Sequence, residues 1–358
     1  MLSSFLSLFL LFAPLLSGVI PQQIDSIDSA HFSSLPYIEQ MKAIISKAQR
    51  DPANAWIFLR SVPFAPDAYD AAHGLGHIVG NALYKRYGIA GVQYCTPELL
   101  YACYHGIIEP YFARSGENGI QSIEGLCAQY FNNDTADGRI KFENCIHGAG
   151  HGLYSYYAFD QNRAERGCES VSASMRHYCY EGIFMVQASF SPLAQAAQQA
   201  DPWSVCAAAL PEAKESCARF IPYMYISLAN TAEGREFFTE TFLAGVMRTC
   251  AAGGALLGRY CMQSVAHSLA ARFAQEPREI AKRCGLASDV RAGEDCIKNA
   301  ATEISFKGWA GTEKTSATLC GMMSDTVACA HAVTTAHTAR TTVLSPEELP
   351  TFSPRPYE

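Results

Sequence analysis

Fourteen cysteines fall into seven neighbouring couples along the chain. Three couples each enclose ten residues: Cys168 with Cys179, Cys206 with Cys217, and Cys250 with Cys261. The others are Cys95 with Cys103, Cys127 with Cys145, Cys284 with Cys296, and Cys320 with Cys329. They enclose seven, seventeen, eleven and eight residues respectively. A chain tied to itself at such short range, seven times in succession, is built of local units. The regularity favours pairing within each couple, although spacing by itself leaves connectivity open. Each bridge of this kind contributes about 2–4 kcal/mol, mostly by restricting the unfolded chain.

Aligned on the second cysteine of each couple, the chain advances in steps of 42, 34, 38, 44, 35 and 33 residues. That is the length of a two-helix repeat. Ala71, 32 residues before Cys103, marks an eighth copy without a disulfide, as expected of a divergent terminal repeat. After Cys103, the apolar residues Tyr104, Ile107, Ile108 and Tyr111 follow a helical period, so each second cysteine is expected to open a helix. The segments "DPANAWIFLRSV" and "TAEGREFFTETFLAGVMRTC" also read as helices, and no sustained alternation calls for a strand. The expected fold is all-α: a solenoid or superhelix of about eight αα-hairpins, most of them stapled internally.

In architecture this plan resembles the Sel1-like, TPR-like and HEAT helical repeats, and the resemblance stops there. A HEAT-repeat di-iron hydroxylase is similar in design, holding metal on His-Glu motifs from separate repeats. Only "HGIIE" (His105 to Glu109) is comparable here, and its His and Glu are not adjacent, so no functional residue carries over.

The repeat register brings out a second pattern. Two residues beyond the second cysteine, or beyond Ala71, stand His73, His105, His147, Glu181, Arg219, Gln263, Lys298 and His331. Six residues beyond stand His77, Glu109, His151, Met185, Tyr223, His267, Thr302 and Thr335. Residues four apart share one helix face. Repeats one to three therefore present His/His, His/Glu and His/His pairs on equivalent helices. Two imidazoles at this spacing chelate one cation, and neighbouring repeats can add donors. The candidate metal ligands are His73, His77, His105, Glu109, His147, His151 and Glu181. Nitrogen and carboxylate donors suit zinc, iron, manganese or copper. Bis-histidine haem in a slot lined by Tyr154 and Tyr157 is an alternative, without covalent attachment because no Cys-x-x-Cys-His occurs.

At the third position beyond the cysteine, the first four repeats carry Gly74, Gly106, Gly148 and Gly182. Glycine inside a helix costs about 1 kcal/mol against alanine, so four at one register imply close helix packing or backbone access for a ligand. Pro110, next to Glu109, is expected to kink its helix. A purely structural role, with core histidines bonded to carbonyls, competes with the metal reading.

The remaining features set the context. The apolar run Phe5–Ile20, broken by Pro14, reads as a signal peptide over residues 1–20, leaving no stable membrane span. With fourteen cysteines this predicts a secreted or periplasmic protein. Residues 24–35 read as a polar leader, 36–190 as repeats with the His/Glu stripe, 191–343 as further repeats and 344–358 as a disordered proline-rich tail. Asn133 heads a glycosylation sequon. A net charge of −7 without a basic run argues against nucleic acid. No Gly-x-Ser-x-Gly elbow, phosphate-binding loop or His-Glu-x-x-His occurs, so two functions remain open. One is metal-dependent redox or hydrolytic chemistry; the other is a non-catalytic scaffold holding a protein, peptide or glycan on a concave face.

Overall fold

A computed structural model describes residues 28–343 apart from 65–68, 97, 100, 132–135, 190–200, 232–237, 309–310 and 313. The expected signal peptide, the sequon at Asn133, the junction at 190/191 and the tail at 344–358 lie outside the described residues. Among the described residues the chain is helical, with no strand.

Two helices precede the array: α1 (Ser29–Ser34) and α2 (Tyr37–Arg50). The polar-leader reading of residues 24–35 is thereby corrected. Asp28 accepts from the His31 N–H and caps α1, while Phe32 is fully buried, edge-on to Phe58 at 5.2 Å. Gln40 Nε2 donates to the carbonyls of Phe32 and Leu35, satisfying the end of that short helix.

Successive units then pair a short first arm with a long second helix. They are α3 (Pro52–Arg60) with α4 (Tyr69–Tyr87), and the 3-10 segment Gly88–Tyr94 with α5 (Ala102–Gln121). Next come α6 (Ile123–Tyr130) with α7 (Ala136–Tyr156), and α8 (Gln161–Gly167) with α9 (Arg176–Ser189). There follow α10 (Pro202–Ala208) with α11 (Lys214–Thr231), and α12 (Glu240–Ala252) with α13 (Gly254–Arg272). Last are α14 (Pro277–Cys284) with α15 (Val290–Lys307), and α16 (Thr315–Cys320) with α17 (Thr326–Val343). The starts are written locally. Asp51 and Asp201 each cap a helix whose first residue is proline, and Thr239 and Asp289 cap α12 and α15.

All seven couples are disulfides. Cys95 is bonded to Cys103, Cys127 to Cys145, Cys168 to Cys179 and Cys206 to Cys217. Cys250 is bonded to Cys261, Cys284 to Cys296 and Cys320 to Cys329. Their Cα–Cα separations run from 5.3 to 5.8 Å, so each first arm is held directly against its long helix.

The expectation that every second cysteine opens a helix holds in four units and fails in three. Cys103, Cys179, Cys217 and Cys329 stand in the first turn of α5, α9, α11 and α17. Cys145, Cys261 and Cys296 lie about two turns inside α7, α13 and α15. Those helices begin upstream, at Ala136, Gly254 and Val290. The break in α5 is at Gly116 (φ 58°, ψ −150°), six residues beyond Pro110, which itself stays within the helix.

The long helices pack in chain order: α4 on α5, α5 on α7, and so on to α15 on α17. Helix α17 also touches α7, so the row curves back on itself, a contact a straight array cannot make.

Within the row the backbones meet at glycines. A Cβ on Gly106 would overlap the His77 carbonyl oxygen, and one on Gly182 the His147 carbonyl oxygen. Gly80 and Gly150 face the carbonyls of Cys103 and Cys179 in the same way. Gly148, by contrast, would meet the side chains of His105 and Ile108 at 3.3–3.4 Å and the His105 Cα at an ordinary 3.5 Å, and Gly74 only the Tyr37 hydroxyl at 2.9 Å. The four register glycines thus divide into two that set backbone contact and two that do not. Gly182→Ala is expected to lose about 1–3 kcal/mol despite its higher helix propensity. Gly148→Ala should change stability by less than about 1 kcal/mol. Urea denaturation of the two variants checks the contrast.

Candidate metal centre

Gly80 and Gly106 bring α4 onto α5, and Gly152 of α7, whose added Cβ would lie 3.1 Å from the Glu109 carbonyl oxygen, brings α7 onto α5. His73 and His77 on α4, His105 and Glu109 on α5, and His147 and His151 on α7 converge on one cluster. Ring centroids lie 4.8 Å apart for His73 and His77, and 4.9 Å apart for His105 and His151. His147 lies 5.0 Å from both His105 and His151. His77 bridges the two ends, 5.5 Å from His105 and 5.4 Å from His151.

Three sets of ligand atoms each lie within 4.8 Å of one another. One is His73, His77 and His105; the second is His105, His147 and His151; the third is His77, Glu109 and His151. Any two of these sets share one histidine. His77, His105 and His151 are the shared corners, while His73, His147 and Glu109 each belong to one set. Two histidines and one carboxylate form the donor set of catalytic zinc sites and of non-haem iron oxygenases.

Hydrogen bonds orient the ligands. The Leu99 carbonyl oxygen lies 2.8 Å from His73 Nδ1, so that nitrogen donates and Nε2 carries the lone pair. His77 Nε2 stands 3.0 Å from His73 Nε2 and donates to it when both rings are neutral. That tautomer turns the His77 Nδ1 lone pair toward Glu109 Oε2, 3.7 Å away. Two acceptors then face one another, an arrangement that a cation between them relieves. The Ser155 hydroxyl donates to the other carboxylate oxygen of Glu109 at 3.1 Å. Leu99 and Tyr101 hold left-handed backbone (φ 54° and 60°), so the turn that supplies the His73 acceptor is itself strained.

Burial is uneven. His105 and His151 are 1% and 2% exposed, whereas the side chains of His77 and Glu109 are 22% and 34% exposed. The mixed His/Glu set therefore reaches the surface and the set of His105, His147 and His151 does not. Among the described residues seven buried side-chain polar atoms lack a hydrogen-bond partner, and four of them are both ring nitrogens of His105 and of His151. Elsewhere the chain satisfies a comparable group. The fully buried Glu165 accepts from the Leu210 N–H at 2.7 Å and from Gln161 at 2.7 Å.

Burial, reinforced by neighbouring imidazoles, lowers the pKa values of His73 and His147 to about 3 and those of His105 and His151 well below the usual histidine value. These four rings are neutral at pH 7, the form that binds metal.

Glu181 does not join the cluster. Its carboxylate lies 3.6 Å from Arg219 Nε, and burial raises its pKa to about 7. Arg219 also donates to Gln263 Oε1 at 3.1 Å, so the same register becomes a polar ladder in the second half of the row. His267 stands 3.8 Å from Glu303, and His331 is exposed; neither belongs to the cluster sets. Three contributors escape sequence reasoning. Ser155 stands four residues after His151, on its face, and that spacing is a usable signal. The Met185 thioether lies 3.3 Å from His147 Nε2 in the register of the ligands, where its softness hides it among core residues. The Leu99 carbonyl has no signal at all.

Folded-state pKa values below that of free histidine mean that acid favours unfolding. In metal-free protein the stabilisation is complete above about pH 6.5 and falls as pH drops toward 3. The loss is about 1.4 kcal/mol per pH unit for each ring kept neutral. Unfolding free energies from denaturant titrations at pH 7.5 and 5 should therefore differ by several kcal/mol, and a His147→Gln variant should show a smaller difference.

Comparison with protein-family models, with curated proteins and with solved structures finds no match for this chain.

Proposed function

We propose that the cluster of His73, His77, His105, Glu109, His147 and His151 is a transition-metal centre in a secreted or periplasmic helical-repeat protein. The eight units are taken as one curled solenoid, with 36–190 carrying the centre and 191–343 completing the row. The observation that carries the metal reading is the pair of buried imidazoles, His105 and His151, with no partner at either nitrogen. A buried polar group left unpaired costs about 1–3 kcal/mol, and four such atoms at one point call for a ligand. Seven disulfides suit an oxidising compartment. Among the described residues no helix is long and apolar enough to cross a membrane.

Centroid separations of 4.9–5.0 Å support a bare ion over haem, since they leave no slot for a macrocycle between the rings. Zinc, iron, manganese and copper all accept this donor set. A bound ion would supply Lewis acidity or, for iron and copper, electron transfer. The partly exposed set of His77, Glu109 and His151 is where a small substrate could reach it, so metal-dependent hydrolytic or redox chemistry is the reading for any catalytic role. Glu109, held by Ser155, is the group at that opening able to take a proton from an approaching molecule.

Untagged protein, oxidised to seven disulfides and never exposed to chelator, is expected to carry at least one transition-metal ion per chain by elemental analysis. Metal at roughly a hundredfold excess over its dissociation constant adds about 2.7 kcal/mol of stability. In a double variant carrying His147→Ala and His151→Ala, both the metal and that increment should disappear while the helical circular dichroism stays. Wild-type protein that takes up no metal after supplementation, with a double variant that differs only in stability, defeats the proposal and leaves a non-catalytic scaffold.

A further inference from the structure

Met185 stands six residues beyond Cys179, the register that holds His77, Glu109 and His151 in the preceding repeats. Its helix, α9, packs on α7, where Gly182 seats against the His147 carbonyl oxygen one turn away. The side chain is only partly buried, and its sulfur lies 3.3 Å from His147 Nε2. The donors at this end of the cluster are thus three imidazoles (His105, His147 and His151) and one thioether. No carboxylate belongs to it: Glu109 sits in the other set with His77, and Glu181 is engaged by Arg219.

We propose that Met185 is a metal ligand, and that the end of the cluster formed by His105, His147, His151 and Met185 binds copper as Cu(I). The inference rests on the metal-centre reading and specifies which ion the buried end takes. A thioether is a soft, uncharged donor; it adds affinity for Cu(I) and little for zinc, manganese or ferrous iron. Neutral imidazoles complete a donor set with no formal charge. A buried shell without charge suits a monovalent cation better than a divalent one, whose uncompensated charge costs more to desolvate. The nearness of nitrogen and sulfur agrees with two ligands of one ion. A methionine that only fills a gap has enough rotatable bonds to turn its sulfur away from the ring nitrogen.

The test compares wild type with Met185→Leu, a swap of similar volume that costs less than about 1.5 kcal/mol. Cu(I) affinity is read by competition with bathocuproine disulfonate under ascorbate. Zn(II) affinity is read in parallel against a chromophoric chelator. Wild type is expected to bind one Cu(I), and Met185→Leu to bind it at least about tenfold more weakly, with Zn(II) affinity shifted by less than about threefold. X-ray absorption at the copper edge should show a sulfur neighbour in wild type that is missing from the variant. Equal Cu(I) affinity in the two proteins, or an unchanged sulfur shell, removes Met185 from the ligands while leaving the metal centre standing. Wild type that binds Zn(II) and not Cu(I) overturns the copper assignment alone. Protein that binds neither ion overturns both readings together.

Discussion

Where α4 meets α5 and α7 meets α9, backbone lies against backbone: Gly106 beneath the His77 carbonyl, Gly182 beneath the His147 carbonyl, with Gly80 and Gly150 returning the contact from the other side. Everything distinctive in the first half of the molecule follows from that proximity. Helices held so close leave room between their facing stripes for little but the residues two and six beyond the cysteine, and those are imidazoles and a carboxylate. The disulfides tie seven of the first arms to their helices, and α3 packs on α4 without one. Glycines then set the close approach of α4 to α5 and of α7 to α9, and the six side chains of the cluster come from α4, α5 and α7. Glycine in a helix is unfavourable by itself; here the loss is recovered as contact between the elements that carry the cluster.

The same closeness decides the electrostatics. Burial makes a charge on any of these rings costly, and a proton on one would repel a second on its neighbours. His73, His105, His147 and His151 therefore remain uncharged over the range in which most proteins work. A packed core of neutral histidines would be expected to hydrogen-bond its nitrogens to carbonyls and hydroxyls. His73 does so through Leu99, but His105 and His151 do not. The second half of the row shows the alternative outcome. There the register carries Glu181, Arg219 and Gln263, which satisfy one another as a chain of ion pair and hydrogen bond. The same two register positions therefore carry two kinds of polar seam, one closed upon itself and one whose lone pairs stay uncommitted.

Much of this is written locally and can be read from residues alone. Cysteine couples, Asp-Pro helix starts and the matched His-x-x-x-His and His-x-x-x-Glu spacings all report contacts within a repeat or between adjacent repeats. What is not legible depends on distance or on competition. Glu181 has the right register, yet Arg219 on the next helix claims it, a contest between two partners that spacing cannot rank. Phe32, in the helix over residues 29–34, packs edge-on against Phe58 and Phe64, partners about thirty residues away that its own surroundings do not announce. Helix starts are legible where an Asp precedes a Pro, but Cys145 sits deep in α7 because the residues ahead of it extend the same helix. The contact of α17 with α7 joins residues far apart in sequence and leaves no local signal in either helix.

The pairing of every cysteine with its nearest neighbour in sequence bears on how the molecule is made. When the second cysteine of a couple emerges during synthesis, its partner has just preceded it and the next couple does not yet exist. The correct bridge is then the first one that chemistry offers, and oxidation can keep pace with elongation without a later round of shuffling. A chain with fourteen thiols would otherwise be among the hardest to sort. In a chain paired this way, order along the sequence is enough to specify every bridge.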